Sequence, residues 1–472
     1  MHNSLPKSDK ELKDFLKYLD RYLLDKAIEW ARKCYQAILE EMDAAFASSR
    51  EKGLEIEHRR WVWYQTCLGA VRIRRREYRD KEGGRRCLLD EVLGMAKYWH
   101  KTVKVQEVAL ELASTMSYRR SAEVLRKTSA IDLPHQTIWR MVSKVADPYL
   151  QKEEQELKRF LMTGAIPQGE GKRVSRLLVE ADGVILSLQR EKERRTEVKL
   201  GIAYEGWQQV GKDRYRTSNK TIFSTVGAEE TFWPGLTLKL QWNYDLAGVK
   251  DTIVGGDGAG WIKAGAEYCG GHFQLDRYHL NRELCLAFGR DKQTKRQVWE
   301  ACERGDVATG LAIIEMARKQ TRGEAALKIG RVYRYLWDNR MGLGDYRLGL
   351  SSAGCSLRRT GAIEGNIDKL IVRRMKNQGM SWTLRGLKRL LCLRFLVLEE
   401  KLTSWLANSP LGQAAVSLHP PGKRVRHILT RLSSQEPDDW LKVRLPALSG
   451  PHASRPWVTL LKSLSEAKLN EL

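Results

Sequence analysis

Three acids in this sequence stand where a carboxylate can do chemistry. Asp182 interrupts the apolar run LLVEADGVILSL and is followed at once by Gly183. Asp257 closes a strand-like run in IVGGDGAG and is flanked by glycines. Glu364 opens a predicted helix in RRTGAIEGNIDKLIVRRMKNQGMSW, with Asp368 one turn on and Arg373, Arg374 and Lys376 after it. Burying a carboxylate among β-formers is costly unless something pairs with it. Oxygen-only ligands favour Mg²⁺ or Mn²⁺. Two such ions roughly 3.5–4 Å apart stabilise the attacking and leaving oxygens of an in-line phosphoryl transfer. The expectation is therefore an active site in which Asp182, Asp257 and Glu364 are catalytic metal ligands for two Mg²⁺ or Mn²⁺ ions. Arg373, Arg374 and Lys376 would meet phosphates. Spacing alone is a weak warrant, since Asp and Glu number 58 and each acid also reads as a turn or cap residue. The conjunction of flanking glycines, a helical acid followed by bases and a basic chain carries the reading.

Such a site needs a sheet whose strand ends lie together. From residue 177 the texture is α/β: RLLVEADGVILSLQ, TEVKLGIAYEGW and TIFSTVG read as strands. DTIVGGDGAGWIKAGAEYC and GHFQLDRYHL each read as strand then helix, residues 280–345 as a long helical stretch, and SWTLRGLKRLLCLRFLVLEEKL as a further helix. The Gly-rich TGAIPQGEGKRVS is the clearest boundary. Ahead of it, residues 8–50 predict a helix that is a candidate oligomer contact. Residues 58–93 predict a β-hairpin with KEGGRR as its turn. Residues 104–145 predict two helices around SAIDLPH, Ser117 capping the first and Pro134 opening the second. The organisation reads as 1–57 helical, 58–170 hairpin plus helix-turn-helix-like unit, 171–405 α/β, and 406–472 a Pro- and Gly-richer tail.

The charge names a partner class. Lys and Arg number 82 in 472 residues, a formal +24, which points to a polyanion. No apolar run approaches the roughly 18–20 residues of a membrane span, and the start lacks a signal-peptide core. DNA in a cytoplasmic, nucleoid-associated setting is the expectation. Arg72, Arg74, Arg75 and Arg76 cluster on the hairpin as candidate DNA contacts. At the start of the second helix His135, Gln136, Thr137 and Arg140 are candidates for bases or phosphates. Trp261, four residues after Asp257, reads either as a base-stacking ring or as core. Eight cysteines without a CxxC pair read as reduced, mostly buried thiols rather than a zinc ribbon.

VEADGVILSLQ…EVKLGIAYEGW, GDGAGWIK, LDRYHL and GAIEGNIDKLIVRRMKNQGMSW together resemble the ISLre2 family of bacterial insertion-sequence transposases. These are DDE enzymes related to the IS256 and Mutator-like group. The resemblance implies a ribonuclease H-like core whose first strand carries Asp182 and whose fourth leads into Asp257. It implies a helical insertion at about 280–350 before Glu364, and Asp276 with His279 as an accessory pair that orders the site or contacts DNA. The implied reaction is cleavage at terminal inverted repeats, then strand transfer into target DNA, by a homo-oligomer on DNA. Two alternatives stay open: a DNA-binding protein without chemistry, and a nuclease of the same fold that does not join strands.

Overall fold

A computed structural model describes residues 17–95, 99–164, 171–227, 230–349, 357–377 and 379–408. The fold is mixed α/β, its described residues forming two compact units, one within 17–109, 117–138 and 403–408, the other within 110–116 and 139–402. The start of the predicted helix at 8–16 and the tail from 409 lie outside the described residues. Among the described residues no helix is long and apolar enough to cross a membrane.

In the first unit, α1 (Leu19–Ser48) packs against a ribbon of β1 (Glu55–Thr66) and β2 (Gly69–Arg79), which the short β3 (Arg85–Arg86) extends. Strict alternation sorts the ribbon. Val62, Tyr64, Val71 and Ile73 face a core with Leu39, Leu89 and Met95, Leu89 lying on α2 (Leu88–Val92). Arg59, Trp61, Trp63, Arg72 and Arg74 face outward. The β1–β2 turn is Cys67–Leu68, and KEGGRR carries a second turn, which joins antiparallel β2 and β3. Gly69 follows that turn at φ +96, and a side chain there would collide with Arg32 and the Ala130 carbonyl.

Alternation also divides the arginine cluster. Arg72 and Arg74 are exposed, while Arg75 points inward, 2.8 Å from Asp90 and 3.2 Å from Glu77. Arg76 is held by the buried Asp43 of α1 at 2.5 Å. Arg75 and Arg76 are thus structural ion pairs, not free surface cations. Arg75→Ala is expected to cost about 2 kcal/mol by leaving buried carboxylate oxygens short of a donor. Arg72→Ala should cost under about 0.5 kcal/mol. Denaturant melts of the two variants check the contrast.

Three helices follow: α3 (Val103–Thr115), α4 (Tyr118–Thr128) and α5 (His135–Thr163). Ser117 caps α4 by accepting from the Arg120 N–H, and the Pro134 carbonyl accepts from Thr137 and Ile138 to start α5. The connection 129–134 is longer than the three or four residues usual in a helix-turn-helix. Gln136 and Arg140 are exposed, while His135 and Thr137 are half-buried.

The second unit is built on a five-stranded sheet in the order β10-β9-β4-β5-β8. β4 (Arg176–Ser187), β5 (Arg195–Tyr204) and β8 (Thr221–Val226) run antiparallel in succession. β9 (Asp251–Gly256) and β10 (His272–Leu275) run parallel to β4. A ribbon of β6 (Gly206–Gly211) and β7 (Arg214–Ser218) stands between β5 and β8 in sequence. Leu177, Val179 and Ala181 of β4 join a core with α6 (Phe232–Gln241) and α7 (Gly260–Tyr268). The other face of β4 carries Leu178, Glu180, Asp182 and Val184.

Between β10 and the Glu364 segment, α8 (Arg277–Phe288), α9 (Lys292–Glu303), α10 (Val307–Lys319) and α11 (Gly323–Asp338) bury their own apolar cluster. Glu364 lies on α12 (Ala362–Ile367), which runs through a π turn at Asp368–Val372 into α13 (Arg373–Met375). α14 (Leu384–Leu398) and α15 (Leu402–Asn408) complete the described chain. Of the seven described cysteines, Cys302 and Cys392 are buried while Cys67 and Cys285 are exposed, so the thiols are less uniformly buried than expected.

Candidate active site

The register of three parallel strands brings the first acids together. β4 and β9 pair from Arg176↔Asp251 to Glu180↔Gly255, a constant offset of 75 residues. Two residues further on, that offset sets Asp182 beside Asp257. β10 pairs with β9 up to Leu275↔Gly256, so the next residue, Asp276, falls beside Asp257 on the other side. The Asp276 N–H continues the ladder by donating to the Gly256 carbonyl at 2.8 Å. Asp182 on β4, and Asp257 and Asp276 one residue past the ends of β9 and β10, thus line up in one row across neighbouring segments. Asp182 is not at the end of its own strand, because β5 pairs with β4 as far as Ser187. The strand end that matters is that of β9.

Each acid has local support. The Asp182 Oδ1 accepts from the Gly183 N–H at 2.7 Å. Asp257 Oδ1 accepts from Ala259 N–H at 2.8 Å, the turn that opens α7, and its carbonyl accepts from the Tyr335 hydroxyl of α11 at 2.8 Å. Asp276 caps α8, accepting from the Tyr278 and His279 amides, and its Oδ2 lies 2.9 Å from His279 Nδ1. His279 Nδ1 is also 3.5 Å from Glu364 Oε1, so Asp276, His279 and Glu364 each place a ligand atom within 4.8 Å of the others.

The electrostatics are those of a site short of positive charge. Burial pushes Asp182 up to about 6; the charges of Asp257 and Asp276 push the same way, against the Gly183 amide and His279. Burial, then the neighbouring Asp276, raises Glu364 well above the carboxylate range. Burial also acts upward on Asp276, but hydrogen bonds with His279 and its neighbours outweigh it and hold Asp276 low. Burial lowers His279, yet its contact with Asp276 more than reverses this. Both Glu364 carboxylate oxygens are buried and accept no hydrogen bond among the described residues. A buried acceptor left without a donor beside Asp276 and His279 fits a divalent cation with mainly oxygen ligands.

Two buried groups that the sequence reading passed over fix Glu364 against this row. Glu180 shares a strand face with Asp182 and is wholly buried. Its carboxylate accepts from the Gly361 and Ile363 amides at 2.9 and 3.0 Å and from the Tyr204 hydroxyl. Those two amides open α12, so Glu180 ties the helix of Glu364 to the strand of Asp182. Arg394 of α14 donates to the Lys369 and Leu370 carbonyls of the π turn and to the Ser114 carbonyl at 2.5 Å. Glu180 had a legible signal, its two-residue spacing from Asp182; Arg394 and Tyr335 had none.

Other expected site residues distribute differently. Trp261 packs edge-on against Phe232, with the Lys199 ammonium 4.3 Å from its ring centre, which is the core reading rather than a free stacking ring. Gly183 makes room for the Glu197 side chain, not for a ligand. Arg374 is buried and donates to the Ala113 carbonyl, so it is not a surface cation. Arg373 is exposed and paired with Asp368 at 2.7 Å, and Lys376 is exposed.

Comparison with known proteins places this arrangement in a family. A UPF0236 protein of Caldanaerobacter subterraneus subsp. tengcongensis is 27% identical over 371 residues, covering 77% of this chain and 74% of that protein. A second from the same organism, whose name joins eleven loci, is 27% identical over 372 residues, covering 77% and 73%. A UPF0236 protein in the vanSb 3′ region of Streptococcus gallolyticus is 25% identical over 340 residues, covering 69% and 70%. Residues 13–405 match the profile described as an uncharacterised protein family, UPF0236, and the chain belongs to that family.

Proposed function

We propose that this chain is a DDE-type transposase of the ISLre2 kind, which cleaves DNA at the ends of its element and joins them to target DNA. The observation that carries the reading is the alignment of Asp182, Asp257 and Asp276 by strand register, with ligand atoms of Asp276, His279 and Glu364 within 4.8 Å of one another. The sheet order, three antiparallel strands followed by two parallel to the first, supports a ribonuclease H-like core. The +24 charge supports DNA as partner, and a relative whose name spans eleven loci of one organism suits a mobile element. A DNA partner argues in turn for a cytoplasmic, nucleoid-associated protein. Joining two ends calls for at least two protomers, and the exposed Tyr22, Leu23, Leu24 and Trp30 of α1 are candidates for that contact.

Asp182, Asp257 and Glu364 would hold two Mg²⁺ or Mn²⁺ ions, with Asp276 as a further oxygen donor. The bound ions would supply Lewis-acid stabilisation of charge at the reacting phosphate. The chain's own part is positional. Asp276 accepts at His279 Nδ1 and fixes the imidazole's orientation. Tyr335 holds the Asp257 backbone, and Glu180 holds the start of α12.

The test is a labelled DNA carrying the element's terminal repeats, incubated with the protein, target plasmid and Mg²⁺. Label joined to plasmid supports the transposase; cleavage without joining supports the nuclease; binding without cleavage removes the catalytic reading. A companion prediction concerns the metal alone. Mg²⁺ at a hundredfold over its dissociation constant should stabilise the wild type by about 2.7 kcal/mol. Glu364→Gln should lose most of that gain in a thermal melt.

A further inference from the structure

We propose that the outward face of the β1–β2 ribbon is a platform for an unpaired nucleic-acid strand. Bases would stack on Trp61 and Trp63, and phosphates would meet Arg59 and Arg74. The proposal rests on the reading of DNA as partner but not on the metal site.

The ribbon's register builds the face. Arg59 pairs across with Arg76, Trp61 with Arg74 and Trp63 with Arg72, so each ring of one row faces an arginine of the next. Trp61 is 46% and Trp63 61% exposed, on a ribbon whose other face is filled by core side chains. Two large aromatic rings side by side on an exposed face form an apolar patch open to a partner. The Arg72 guanidinium lies over the Trp61 ring at 4.8 Å from its centre and 6.0 Å from that of Trp63, which orders the rings and still leaves both exposed.

Charge selects the occupant. Among the described residues no carboxylate forms an ion pair with the guanidinium of Arg59, Arg72 or Arg74; Glu40 meets Arg74 only at its backbone N–H, at 3.0 Å. The nearby Glu57 is engaged by Arg79 and Arg85 at 2.6 and 3.2 Å, and Asp43 by Arg76. A net-positive face with open rings matches a polyanion that also offers flat apolar surfaces. An unpaired strand offers both, and aromatic stacking with cationic backbone contacts is how such strands are held. In a duplex the base faces are hidden in the stack and only edges reach the grooves. A second copy is disfavoured, because a two-fold contact would set the same arginines against one another.

The experiment uses the full chain, a fluorescent oligothymidylate and a labelled duplex. Trp61→Ala with Trp63→Ala should weaken oligothymidylate binding by about tenfold or more, the loss expected for one or two stacked bases. Duplex affinity should change less than about twofold, because the duplex does not use the rings. The salt dependence of this variant should keep the wild-type slope. Arg59→Ala with Arg74→Ala should flatten the single-strand slope by about 1.4, close to 0.7 for each phosphate no longer neutralised. Both variants alter exposed side chains, and an unchanged melting curve verifies the fold. Unaltered oligothymidylate affinity in the tryptophan variant overturns the proposal, as does an equal loss on duplex or a loss of self-association with no change in binding. If the wild type binds neither nucleic acid, the DNA reading falls with it. If element ends are cleaved normally while the tryptophan variant leaves oligothymidylate binding intact, this proposal alone falls.

Discussion

Asp182→Asn is expected to abolish Mg²⁺-dependent cleavage of element ends, by roughly 10³-fold or more, while leaving DNA binding intact. The size follows from position. Asp182 is the acid of the central strand, flanked by Asp257 in register, and it feels the charges of Asp257, Asp276 and His279 together. Removing its charge takes a ligand from the β4 end of the row, where no neighbouring carboxylate can swing in without leaving its own turn or cap. Asp257 is committed to Ala259 and Asp276 to the start of α8. DNA affinity should hold or rise, because one negative charge leaves the neighbourhood of the phosphates. Asp257→Asn should behave alike. Asp368→Asn is the control: that acid pairs with Arg373 at the surface, so its loss should leave the rate within about twofold. Nicking of a labelled duplex, with and without Mg²⁺, reads all three. Full activity in Asp182→Asn would falsify the assignment of the metal site.

The contrast between Asp182 and Asp368 shows which parts of the site were legible in the chain. An acid in an apolar run, followed by glycine, marks a strand with a buried carboxylate, and that is a local signal. Register is not local. Nothing in LLVEADG states that Asp257 lies 75 residues on in the neighbouring strand, or that Asp276 completes the row. The same limit explains the arginines. Arg72, Arg74, Arg75 and Arg76 look equivalent as a string, but Arg75 lies on the inward face and Arg76 meets a buried aspartate from α1. Parity alone identifies Arg75 as the inward member once the strand is recognised. Arg76 needed the helix packing. Arg374 sits in a run of bases that looks suited to phosphates, yet the turn of the helix buries it. Trp261 was ambiguous in the sequence, and the Phe232 and Lys199 side chains around it decide for the core.

Glu180→Ala is expected to lower stability by about 3–5 kcal/mol and to remove cleavage with it. Three donors converge on this carboxylate: the Gly361 and Ile363 amides and the Tyr204 hydroxyl. Alanine leaves all three buried without an acceptor, at about 1–3 kcal/mol each before relaxation. Burial raises Glu180 while its three donors act the other way, so the fold accepts a costly carboxylate here to hold the entry of α12. Glu180→Gln separates positioning from folding. An amide of the same shape keeps one oxygen for the Gly361 and Ile363 amides, which share Oε2, and turns its NH₂ to the Tyr204 hydroxyl, which can accept, so stability should fall by only about 1–2 kcal/mol. The neutral oxygen is the weaker acceptor, so the start of α12 should be held less tightly, and with it Glu364. Mg²⁺-induced stabilisation and the cleavage rate should drop at least tenfold in a variant that still melts cooperatively. A merely structural role predicts the reverse pairing, a lower melting point with metal response and rate unchanged. Tyr204→Phe, which removes one donor and leaves both amides paired, should retain most of both.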